Sequence, residues 1–133
     1  MKRDLFFTFL KLFTISFLVI FLFSTSTSPL YKNYYEDDSA IFVLMGKVIK
    51  EGMTPYKDVF DHKGPILFFI QALGQMISEG RFGIFFVQFI LLSFTNILFF
   101  KIANKFCSTS KSIITLLIGM CFFALFMEEG NLS

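Results

Sequence analysis

Hydrophobic and polar positions run in long blocks along this chain. From Leu5 to Ser28 the residues are apolar or hydroxylic apart from Lys11, and Leu12 to Phe23 carries no charge. That length predicts a membrane-entering helix, with Lys11 snorkelling its ammonium back to the headgroups. The Ser-Thr-Ser-Thr-Ser tail has no clear small-x-small cleavage pattern, so residues 1–28 read as an uncleaved first span, ended by Pro29, and not as a secretory signal. A second charge-free block, Phe82 to Phe100, stops at Lys101 and is the clearest transmembrane segment, predicted over 82–101. Gln88 and Asn96 interrupt its apolar surface, and hydrogen bonds between helices are the ordinary use of such residues. A third block, Ser112 to Met127, follows a connector at 102–111 and is short for a span unless Lys111 snorkels.

The interval between the first two blocks is patterned differently. In SAIFVLMGKVIKEG, Ile41, Leu44, Met45, Val48 and Ile49 recur at helical spacing. Asp37 or Asp38 is placed to cap this short amphipathic helix, and Gly52 suits the position after its last turn. MTPYKDVFDHKG has no period and reads as an extended, irregular connector. Gly64 and Pro65 then open PILFFIQALGQMISEG, since proline is tolerated at the first helical position, and Ser78 follows Pro65 by 13 residues. Its length of about 20 Å falls short of a hydrocarbon core of roughly 30 Å. Gln71, Gly74, Gln75 and Ser78 form one polar stripe, so this helix is expected to lie at the membrane surface or re-enter from one side.

Composition fixes the class. Of 133 residues, 55% are hydrophobic and 22 are Phe, which fits an all-α integral membrane protein and not a soluble domain. Nothing in the charge pattern suggests nucleic acid as a partner; membrane lipid is the expected surroundings. Cys107 and Cys121 show no metal or disulfide spacing and read as buried structural thiols. If the Pro65 helix does not cross, Lys101, Lys105 and Lys111 share a side with Lys2, Arg3 and Lys11, as the positive-inside bias prefers. The expected topology is therefore a multi-pass protein of the cell membrane with about three spans, a cytoplasmic N-terminus, residues 29–81 outside and 112–133 as the last span and its outer end.

The candidate chemistry sits between Tyr35 and Pro65, the one long polar interval, which holds 11 of the 23 Lys, Arg, Asp, Glu and His residues, including the only histidine, His62. A carboxylate at the outer boundary, such as Asp38, can act as a general base or hold a divalent metal, and a lysine such as Lys63 can bind a phosphate. The plainer readings are an N-cap for Asp38, a headgroup contact for Lys63, and a solvated loop with local ion pairs for Asp58 and Asp61. His62 has no second His or Cys at ligand spacing. No nucleophile triad, Walker loop or dinucleotide fingerprint is present.

From Asp38 to Gly74 the run D-x-A-x-x-x-x-x-G-K, then E-G-x-x-P-Y-K-D-x-F-D-H-K-G-P-x-L-x-F-x-x-x-A-L-G, resembles the first outer loop of bacterial GT-C membrane glycosyltransferases of the protein mannosyltransferase and aminoarabinose transferase type, including cell-surface polysaccharide transferases. Gly-Asn-Leu-Ser after Glu129 is similar to the outer end of a later span in that group. The resemblance implies transfer of a sugar from a polyprenyl-phosphate donor to a cell-surface acceptor. Asp38, with Asp37 as its rival, would be catalytic; Lys63 would contact the lipid phosphate, with His62, Tyr56 and Asp58 of the same motif beside the substrate. It also implies that 1–133 is an N-terminal portion, inactive alone, to be completed by the rest of the enzyme or by another membrane subunit. The contrasting expectation is a small non-enzymatic membrane protein that packs on a larger membrane partner through its Phe-rich spans.

Overall fold

The computed structural model describes residues 2–32 and 37–125. Within them the chain is all-helical: α1 (Lys2–Phe23), α2 (Asp37–Lys50), α3 (Pro65–Ile77), α4 (Arg81–Ala103) and α5 (Thr109–Leu125). Two helices, α1 and α4, are long and apolar enough to cross a membrane. At 22 and 23 residues they reach about 33–35 Å; α5, with 17 residues, reaches about 25 Å.

Side-chain contacts set the directions of these helices. Leu12 packs with Phe100 and Leu116, Ser16 meets Asn96, and Val19 and Ile20 pack with Phe85 and Leu92. As numbers rise along α1 they fall along α4, so the two are antiparallel. Leu116 joins the Leu12 cluster and Met120 packs on both clusters, which makes α5 parallel to α1. Phe13, Phe17, Phe85 and Phe89 interlock edge to face between α1 and α4, the arrangement that ring quadrupoles favour.

α1 stops short of Pro29. Residues 24–28 wind one further hydrogen-bonded turn, Ser24 N–H to Ile20 O and Ser28 N–H to Ser24 O, while their hydroxyls take over the helix end. Ser28 Oγ donates to Phe21 O at 2.6 Å and accepts from Leu30 N–H at 3.2 Å. Short hydroxylic side chains compete with backbone ladders in this way.

α2 and α3 form a hairpin at the end of the bundle opposite Lys11, Lys101 and Lys111. Phe42, Met45 and Phe68 are its core. α2 closes with a Schellman motif: Gly52 has φ 92, its N–H bonds Ile49 O, and Met53 N–H bonds Val48 O. Asp37 and Asp38 lie in its first turn and not at a cap; their side chains fall outside the described residues, as does Glu36.

α3 has the expected bounds, yet its polar stripe faces inward. Gln71, Gly74 and Gln75 are buried, whereas Ile66, Phe69, Leu73, Met76 and Ile77 are each more than half exposed. The glycines explain why. A Cβ on Gly46 of α2 would stand 2.8 Å from the backbone of Gln71, one on Gly74 would stand 3.0 Å from Ile84, and one on Gly83 would stand 1.8 Å from Gly74 O. Small residues let the three helix backbones touch, as in membrane helix packing. The side of α3 that carries Gly74, with Phe68, Gln71 and Gln75 beside it, is therefore the packing side.

Candidate functional site

The segment 52–64 folds into a compact loop, where an extended connector was expected. Thr54 anchors a turn, accepting from Lys57 and Asp58 N–H, and the Asp58 carboxylate accepts from Thr54 N–H at 2.8 Å. Tyr56 N–H bonds Val59 O at 2.6 Å. Tyr56 sits at φ 67, a region that costs a non-glycine residue of order 1–3 kcal/mol and needs support around it. That support is visible: its phenol donates to Lys63 O, and its ring packs against Phe60 and Phe68. Asp61 accepts from Lys63 N–H at 2.9 Å and lies 3.5 Å from His62 Nδ1.

These contacts place most of the candidate site residues. Tyr56, Asp58, His62 and Lys63 share one loop, and Lys63 Nζ reaches over the Phe42 ring of α2 at 5.7 Å from its centroid. Phe42 follows Asp38 by one helical turn; the catalytic distance expected between Asp38 and Lys63 lies outside the described residues. His62 is largely exposed, at 79% of its side chain, with Asp61 as its near neighbour. Among the described residues, no group of three or more His, Cys, Asp or Glu side chains could hold a metal ion.

Beside this loop an open cleft of about 250 Å³ is lined by Lys47, Lys50, Glu51, Gln75 and Glu79. Lys50 Nζ meets Glu79 Oε1 at 2.8 Å. That hydrogen bond, then the ammonium charge, holds the Glu79 carboxyl below its ordinary value. Behind it, the Gln75 amide clamps the α3–α4 turn by accepting from Gly80 N–H at 2.9 Å and donating to Gly80 O at 3.2 Å. The cleft closes α2 onto that turn, and its lining holds no paired nucleophile and base.

Sequence reasoning missed a second polar centre. Ser24, Ser26, Thr27, Ser28 and Ser39 are all buried. Ser24 Oγ and Thr27 Oγ1 are 2.5 Å apart, Thr27 donates to Gln88 Oε1 at 2.7 Å, and the Ser26 and Ser39 hydroxyls meet at 3.1 Å. The network ties the end of α1 to the start of α2 and to α4. The uninterrupted hydroxyl run 24–28 was its signal. The interhelical role expected of Gln88 and Asn96 is seen in the Thr27 bond and in Asn96 Nδ2 donating to Ser16 Oγ at 2.8 Å. The cysteines depart from expectation: Cys107 and Cys121 are both exposed, one in the α4–α5 connector and the other on the outer face of α5.

The model of the family described as the competence-induced protein Ccs4 N-terminal domain matches residues 2–130, and the chain belongs to that family. No curated protein and no solved structure matches it. The family assignment corrects the resemblance to GT-C glycosyltransferases, and with it the polyprenyl-phosphate donor, the base assigned to Asp38 and the phosphate contact assigned to Lys63. Loop closure accounts physically for much of the motif. Tyr56, Asp58 and Asp61 are spent on their own backbone, and Gly46 and Gly74 on helix crossings.

Proposed function

We propose that this member of the Ccs4 N-terminal domain family is a non-enzymatic membrane protein that packs against a larger membrane partner. One observation carries the reading: the helices bury uncharged polar side chains among their apolar contacts and leave many large apolar side chains outward. Gln71, Gln75, Ser16, Ser93 and Asn96 are buried, while Phe6, Phe69, Phe82, Phe94 and Phe122 are more than half exposed. Such a surface is stable only against hydrocarbon or another apolar protein face. From the family's description we take that the partner belongs among the membrane proteins of competent cells.

In this reading α1, α4 and α5 all span, α5 with Lys111 snorkelling, and α3 stays on the outer side. The antiparallel packing supports it, because Lys11, Lys101, Lys105 and Lys111 then lie at one end and the α2–α3 hairpin at the other. Impermeant thiol labelling of intact cells tests the sidedness. With Cys121→Ser, native Cys107 should stay unlabelled; with both cysteines replaced by Ser, Lys57→Cys should label. The opposite pattern refutes the topology. The packing role is tested by native electrophoresis in mild detergent after crosslinking in the membrane. The chain should migrate in an assembly larger than itself, and a bare monomer would contradict it.

A further inference from the structure

We infer that the α4–α5 connector is a docking surface for anionic phospholipid headgroups, an interaction that rests on the membrane-spanning reading above. α4 ends at Ala103 and α5 starts at Thr109, joined by a tight turn in which Phe106 and Cys107 N–H both bond Ala103 O and Thr109 Oγ1 bonds Asn104 Oδ1. Lys101 lies two residues before the end of α4, Lys105 in the turn and Lys111 two residues after the start of α5, and all three are exposed. Lys11 stands at the same level, since its neighbour Leu12 packs on Phe100 and Leu116. Across residues 1–11 and 101–111 the sole acid is Asp4.

Between these cations the connector presents apolar side chains. Phe106 is 83% exposed and Ile102 59% exposed, continuous with the outward faces of α4 and α5. Ammonium groups with an aromatic and an aliphatic side chain among them match a bilayer boundary, where phosphates lie just above acyl chains. A soluble acidic partner would satisfy the lysines and leave Phe106 in water. The surface is therefore assigned to lipid: the lysines take headgroup phosphates and Phe106 inserts beneath them.

The chain contains no Trp, so Phe106→Trp supplies a single reporter in the full chain. The variant is reconstituted in phosphatidylcholine–phosphatidylglycerol vesicles in which one lipid or the other carries bromine on its acyl chains. Brominated phosphatidylglycerol should quench the reporter more than brominated phosphatidylcholine, with an apparent preference of roughly fivefold, the effect of one lysine near an anionic surface. Lys101→Gln, Lys105→Gln and Lys111→Gln together should remove the preference. Should that variant fail to insert, added salt must remove it in the parent. Equal quenching by both lipids overturns the inference and leaves the membrane reading standing, whereas quenching by neither overturns both. A preference abolished by millimolar inorganic phosphate, or by short RNA, means a soluble anion site and also overturns it.

Discussion

At Gly83 a hydrogen is all that the space allows. A methyl there meets Gly74 O and Ser78 O, which are backbone atoms with no rotamer to move. Gly83→Ala should cost about 1–3 kcal/mol, seen as a lower unfolding midpoint in detergent, while alanine at Gly119, where nothing lies within 4 Å, should be neutral. Asn96 makes a subtler case. Its Nδ2 is bonded to Ser16, but Oδ1 is buried with no partner. Asn96→Leu should be tolerated or stabilising, because it removes an unsatisfied acceptor and leaves Ser16 bonded to Leu12 O. Ser16→Ala should cost about 0.5–1 kcal/mol by stranding the amide. Glu79 gives a pH effect with a definite sign. Its folded pKa is below the ordinary 4.5, so the Lys50 contact stabilises above that value and is lost as pH falls through the lower, folded one. The effect is small for so exposed a pair, and Glu79→Gln should flatten the acid limb of the unfolding curve. Polar residues within apolar helices were legible here, as Gln88 and Asn96 show. The exposure of Cys121 was not, because in a helix apolar on every side no pattern marks the inward face.

At the scale of the element, α3 is the instructive case. Proline at its start and the run to Ile77 set its length, and of the stripe Gln71, Gly74, Gln75 and Ser78 the first three share one buried face while Ser78 lies exposed at the helix end. Which way that face points depends on the solvent. In water polar residues turn out; in α3, with Gly46, Gly74 and Gly83 allowing close contact, they turn in, as the proposed membrane setting expects. A thiol at Leu73 in a Cys107→Ser/Cys121→Ser background should therefore react with a lipid-soluble reagent and resist a water-soluble one, and a thiol at exposed Lys47 should do the reverse. Equal reaction at both positions would place α3 in water. The end of α1 was read too far along for a related reason: hydropathy does not distinguish Ser and Thr that continue a helix from those that cap it. Gly52, by contrast, was legible as the residue after α2, and Gly52→Val should cost about 1 kcal/mol or more through its positive φ.

For the whole molecule, the apolar blocks gave the two long helices, and the lysine placement matches the end at which α1, α4 and α5 gather their charges. Family identity was not legible in the same way. A motif of Gly, Pro, Tyr, Asp and Lys resembled that of another family, and in this chain its Tyr56, Asp58 and Asp61 side chains bond the loop's own backbone while Gly46 and Gly74 let helices touch. The central claim is a helical membrane protein whose outward faces meet a larger partner. It is tested most directly by photo-crosslinking in native membranes, with a photoreactive residue placed in turn at Phe69 of α3, Phe94 of α4 and Ile118 of α5, all exposed. The account predicts a discrete heavier protein adduct from one of these faces, lost when its neighbouring outward residues are changed to Ala. Lipid adducts alone from all three faces would contradict it.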